Sequence, residues 1–169
     1  AGRAHQGRYP HGGVPRPRLT GGPGAMPTRR EARERALSLC YELEVRGIDL
    51  DTLLAQLPGQ PDAYAEEIAR GVETHRDEVD AILRKYSEHW ALERMPLVDR
   101  AILRIGTYEL GWQPELPTGV VISEAVELAK QYSTKDSGRF VNGMLARIAE
   151  DLRGHERPEP PESPASPER

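Results

Sequence analysis

The chain has 169 residues, 37% of them hydrophobic and only one of them phenylalanine, which suits a single domain with a modest aliphatic core. A net charge of −4 excludes a protein coated in positive charge, so contact with nucleic acid requires a local basic patch. One cysteine closes no internal disulfide and supplies no cysteine-rich metal site.

Residues 1–25 are rich in Gly, Pro, Arg and His, lack acidic residues and show no periodicity; they are expected to be a disordered basic tail. Met26 follows this tract just before a helix start. The segment is therefore either a leader outside the fold or a basic arm that touches RNA.

Thr28 and Glu31 have the spacing of a capping box, which starts a first helix. Ala32, Ala36, Leu39, Cys40 and Leu43 mark its buried stripe, with Cys40 expected as a buried structural thiol. Arg29, Arg30, Arg33 and Arg35 crowd its first turns, where cations oppose the helix dipole at a cost of up to about 1 kcal/mol each. A local conflict of that kind points to function.

A short helix is predicted over Leu50 to Leu57, stopped by Pro58 and Gly59. Pro61 then opens one long helical stretch carrying Tyr64, Ile68, Val72, His75, Val79, Ile82, Leu83 and Tyr86. Pro96 starts the most apolar segment, which Gly111 and Pro114 end. Pro117 and Thr118 introduce a helix bearing Val121, Ala125 and Leu128 that breaks at Ser133 to Lys135. Asp136 is expected to cap the last helix, whose core face holds Val141, Met144, Leu145, Ile148 and Leu152.

No segment alternates as a strand does, so the fold class is an all-α bundle. The helical domain covers residues 26–153. Residues 154–169, built on repeated Pro and Glu, cannot bury enough apolar area to offset chain ordering and form a second disordered tail. No apolar run is long enough to cross a bilayer and no secretory signal is visible, so the protein is expected in the cytoplasm.

Enzymatic constellations are scarce. His5, His11, His75, His89 and His155 include no pair at helical zinc spacing and none beside a serine-nucleophile motif, so no metal is expected. Glu124 and Glu127 have the proximity of paired acids, but Lys130 three residues on makes a solvated face the simpler reading. The glycines at 21–24 precede no Lys-Ser or Lys-Thr, so no nucleotide cofactor is implied. Periodicity leaves Phe140 with two readings: a core residue beside Val141, or an aromatic that stacks on a base next to Arg139 and Lys135.

Three segments read together resemble the NusB transcription antitermination family: RREARERALSLCYELE at 29–44, VDRAILRIGTYEL at 98–110 and ISEAVELAKQYSTKDSGRFVNGMLARI at 122–148. The likeness runs from Arg29 to about Arg153 and is loose over 45–75. It implies two small helical bundles that act with the ribosomal protein NusE to hold boxA-type single-stranded RNA, helping RNA polymerase in an antitermination complex pass terminators. The chain is then not an enzyme. By position, the resemblance assigns Arg29, Arg30 and Arg33 to an arginine-rich RNA-binding start. It places Tyr132, Asp136 and Phe140 at the RNA-contacting edge, and Asp99 at an acidic position facing NusE. It favours the stacking role for Phe140 and leaves Asp136 both as cap and as contact. Glu31 departs from the family's basic run. The alternatives are a helical scaffold or homodimer that buries the same face, and an RNA-binding module of the kind found in ribosomal RNA methyltransferases.

Overall fold

The computed structural model describes residues 26–87 and 90–154. The expected tails at 1–25 and 154–169 lie outside the described residues except for Gly154, as do His5, His11, His89 and His155. Among the described residues there are seven α-helices and no strand. They are α1 (Arg29–Arg46), α2 (Leu50–Gln56), α3 (Ala63–Thr74), α4 (Arg76–Tyr86), α5 (Leu97–Trp112), α6 (Thr118–Tyr132) and α7 (Ser137–Arg153), with one 3₁₀ turn at Leu92–Arg94. None of these helices is long and apolar enough to cross a membrane.

The capping box forms as its spacing predicts: the Thr28 N–H donates to Glu31 Oε2 at 2.7 Å and the Glu31 N–H donates to Thr28 Oγ1 at 3.2 Å. The acidic departure at position 31 therefore has a local task. Cys40 is buried on α1, and burial pushes its thiol up to about 12, as suits an inert core residue.

Residues 61–86 are not one helix. The chain breaks at His75 (φ −103°, ψ 20°), which ends α3 and precedes α4, so that each half packs on α5 along its own line. The His75 ring lies 4.5 Å from Trp112 and 6.1 Å from Tyr108, two α5 aromatics that hold the corner. Gly71 is required there: a Cβ at that position would come within 2.0 Å of the Tyr108 ring.

Helix α5 is the axis. Every residue from Val98 to Leu110 is buried, so that stretch has no solvent face. On one side α1 packs on α3, on the other α6 and α7 form an antiparallel pair, and α5 touches both groups as well as α4. The C-terminal end of α5 runs past Gly111 to Trp112, and Arg153 gathers carbonyls from that end and from the turn after it. That guanidinium donates to the carbonyls of Leu110 (2.9 Å), Glu109 (3.1 Å), Gln113 (3.0 Å) and Leu116, and to Thr118 Oγ1 (3.1 Å). A cation at the end of α5 also meets its dipole favourably. Arg153→Ala should therefore lower stability by about 2 to 3 kcal/mol in urea unfolding, because several carbonyls lose a charged donor at once. Arg153→Lys, with one ammonium in place of a planar fork, should recover only part of the loss.

Candidate nucleic-acid interface

The arginine-rich start of α1 sorts into three different environments. Arg29 is exposed, with its guanidinium 4.9 Å from the centre of the Tyr64 ring, a cation–π contact that anchors it to α3. Arg30 is also exposed and presents its Nε–Nη2 edge to Glu124 of α6 at 3.0 and 2.9 Å. The hydrogen bond from Arg30 holds the Glu124 carboxyl below the ordinary glutamate range.

Arg33 is different, and the structure corrects its expected role. Its side chain is only 3% exposed, with Nε donating to Glu109 Oε1 at 2.9 Å and Oε2 at 3.2 Å. Tyr64 closes the cluster: its hydroxyl accepts from Arg33 Nη2 at 3.4 Å and donates to Glu109 Oε1 at 3.1 Å. A phosphate has no access to such a group. Burial pushes the Glu109 carboxyl above the ordinary glutamate range, against the pull of Arg33 and the Tyr64 hydroxyl.

Asp99 needs the same correction. It is 2% exposed, so its carboxylate is not presented to a protein partner. It accepts hydrogen bonds from Ser133 Oγ and, at 2.9 Å, from Ser137 Oγ, and so ties the first turn of α5 to the turn between α6 and α7. Placement near the start of α5 also sets the negative charge at the favourable end of that helix dipole. The serines flanking the turn were the missed signal: two hydroxyls four residues apart, facing one acid.

Asp136 stands at the N-cap position of α7 and is exposed, but its side chain makes no capping hydrogen bond, so the expected cap is absent. Ser137 dominates the turn instead, its Oγ accepting from the Thr134 N–H at 3.3 Å. Tyr132, half-buried at the end of α6, donates its hydroxyl to Glu34 Oε2 of α1 at 3.0 Å. The Arg30–Glu124 and Tyr132–Glu34 contacts thus fasten the start of α1 along α6. The chain then passes through the serine turn to Phe140, one helical turn into α7.

Phe140 is half-buried: it packs against the core and also forms part of the wall of a groove. Its ring meets Trp90 edge to face, with centroids 5.7 Å apart and planes at 66°. Trp90 is 44% exposed, a large aromatic left at the surface. The groove, about 600 Å³ in volume, is lined by Tyr86, Trp90, Phe140 and Met144, with the exposed Arg139 and Arg147 beside them. Arg147 also reaches over the Tyr86 ring at 5.5 Å. Sequence reasoning found Phe140 but missed Trp90, which sits in an irregular loop with no period to place it.

An arginine-bearing helix start joined to an aromatic groove is a surface on which a nucleic-acid chain can lie. The model of the NusB family matches residues 30–150. The chain belongs to the NusB family. It is 48% identical over 133 residues to the transcription antitermination protein NusB of Clavibacter sepedonicus, covering 73% of this chain and 97% of that protein. Among solved structures, Thermotoga maritima NusB superposes with a TM-score of 0.68 at 37% identity, over 75% of this chain and 94% of the other. A crystal structure of the antitermination factors NusB and NusE in complex with double-stranded RNA superposes with a TM-score of 0.62 at 30% identity, over 73% of this chain and 96% of that one.

The buried Arg33–Glu109 pair gives a test that separates a supporting role from a surface one. Arg33→Ala should destabilise the fold by about 3 to 5 kcal/mol, because Glu109 is left buried without its cation, whereas Arg33→Met combined with Glu109→Leu should stay near the parent. A carboxyl raised in the folded state contributes stability that is present below its unfolded value and lost as pH rises through the folded one. The deficit of Arg33→Ala should accordingly grow between pH 4 and pH 7 in denaturant titrations. An equal deficit at both values would show that Glu109 does not carry it.

Proposed function

We propose that this NusB-family chain is a transcription antitermination factor that binds boxA-type single-stranded RNA together with the ribosomal protein NusE, as part of an RNA polymerase antitermination complex, and that it acts as a binding factor rather than an enzyme. The observation that carries the reading is the Phe140 groove: an open aromatic wall with two exposed arginines beside it, on a chain whose net charge is negative. Unpaired bases stack on such aromatic faces, and arginines beside them meet the phosphates. The superposable complex of NusB and NusE with double-stranded RNA supports NusE and RNA as partners, without bearing on the boxA preference.

On this reading the RNA path begins at Arg29 and Arg30, passes Tyr132 and the exposed Asp136, and reaches Phe140. Arg30 contributes although Glu124 holds one edge, since 56% of its side chain is exposed. Arg33 contributes by positioning the start of α1. Glu124 and Glu127 are engaged by Arg30 and Lys130, which supports a structural use for those acids in place of paired catalysis.

The charged and aromatic contacts should fail in different ways. Arg29→Ala should weaken binding to many RNA sequences and flatten the salt dependence, by up to about 0.7 in log–log slope per lost single-strand phosphate contact. Phe140→Ala should leave that slope nearly intact and cost about 1 to 3 kcal/mol of binding to boxA RNA with NusE, once circular dichroism has shown the helices intact. A folded Phe140→Ala variant that binds as tightly as the parent would return the ring to a packing role.

A further inference from the structure

The groove beside Phe140 has a second candidate occupant within the chain itself. Residues 155–169, HERPEPPESPASPER, lie outside the described residues and hold five prolines and four glutamates. Their order is periodic: Pro158, Pro161, Pro164 and Pro167 recur every three residues, and Glu156, Glu159 and Glu162 do the same in another phase. Three residues is the turn of a polyproline II helix, the conformation that proline-rich segments favour. In that conformation the segment has one proline face and one acidic face.

The groove offers the complement of both. Its floor is aromatic, with Tyr86, Trp90 and Phe140, the kind of surface on which polyproline II segments are recognised. Arg139 and Arg147 stand beside it, eight residues apart on α7, or about 12 Å along the helix. Adjacent acidic positions in the segment are about 9 Å apart.

Reach and direction also agree. Helix α7 ends at Gly154, whose φ of +68° lets the chain leave the helix line without the strain a side chain would bring. From Arg153 back to Phe140 is thirteen residues of helix, about 20 Å, while fifteen residues of polyproline II extend about 46 Å. The groove-lining positions Phe140, Met144 and Arg147 lead along α7 toward the point where the segment begins.

We infer that residues 155–169 fold back along α7 and dock in the Trp90–Phe140 groove of their own chain, prolines on the aromatic floor and glutamates toward Arg139 and Arg147. The bound segment covers the Phe140 face and competes with RNA for it. That consequence rests on the function proposed above, whereas the docking itself does not.

The two indole N–H signals in ¹⁵N-resolved NMR report the docking without RNA, with Trp90 assigned by Trp90→Phe. Ending the chain at Gly154 should move the Trp90 signal and leave that of Trp112, which lies under His75 at the other end of α4. Full-length protein carrying Glu159→Lys and Glu162→Lys should reproduce the shift, and neither shift should depend on protein concentration. The shortened chain should also bind boxA RNA several-fold more tightly. If Trp90 moves but RNA affinity does not, the docking stands and the RNA role of Phe140 falls. A Trp90 signal that ignores both changes, or a shift that scales with concentration as pairing between two copies would, overturns the inference.

Discussion

Helix α5 is surrounded by protein and still carries four charged side chains, Asp99, Arg100, Arg104 and Glu109, all of them buried. A charge moved from water into a protein interior costs several kcal/mol unless a partner meets it. Each neighbouring element must therefore present the matching group at the right place. Arg104 takes both oxygens of Asp80 on α4, at 2.7 and 2.9 Å, and Glu44 on α1 at 2.7 Å. Arg100 shares Glu44 and donates to the Leu92 carbonyl at 2.9 Å. Glu109 receives Arg33 and Tyr64, and Asp99 receives the two serines. The apolar core supplies the free energy of folding, and these pairs decide where the surrounding helices sit around α5.

The same constraint shapes the candidate interface. Its first part, the start of α1, is held by Glu109 through Arg33, with Tyr64 both bonding that pair and supporting Arg29 from beneath. Its second part, the turn leading to Phe140, is held by Asp99. The two acids lie ten residues apart on one helix, about 15 Å along its axis. The spacing between the arginine start and the aromatic groove is thus set by a buried helix and not by the flexible side chains that face solvent. Residues that touch nothing outside the protein define the geometry of those that do.

This division explains what the sequence made legible. The capping box, the α1 stripe, the proline-led starts of α5 and α6 and the all-helical architecture follow from local chemistry, and the structure contains each of them. The break at His75 escaped notice because the apolar period runs on through it, while the bend depends on where Tyr108 and Trp112 stand on another helix. Arg33 and Asp99 were placed on the RNA and NusE faces by position in the resemblance alone, which carries no information on burial, and both side chains are buried. For Asp99 the clue was Ser133 and Ser137, two hydroxyls four residues apart that face it from the turn between α6 and α7. For Arg33 it lay far away at Glu109, seventy-six residues along the chain. Asp136 has the right residue type at the right position for a cap, but its backbone is helical (φ −88°, ψ −14°) in place of the extended conformation that a capping residue uses.

The charge economy that results bears on selectivity. Of the three arginines that the resemblance assigns to RNA, one is committed to Glu109, one shares an edge with Glu124 and one rests on a tyrosine ring. A phosphate approaching Arg30 must compete with a carboxylate already in place at 2.9 Å, so its net gain is the difference between two similar interactions. Such a surface holds an arbitrary polyanion weakly, because the counterion release that drives non-specific binding scales with the phosphates actually neutralised. On the function proposed above, affinity comes from contacts that a random polyanion does not make: a base placed on the Phe140 ring, and a second protein that brings charge of its own. In an acidic chain with one phenylalanine, that ring stands half-buried at the groove beside Trp90 and Tyr86, where one face of the site is open to such a contact.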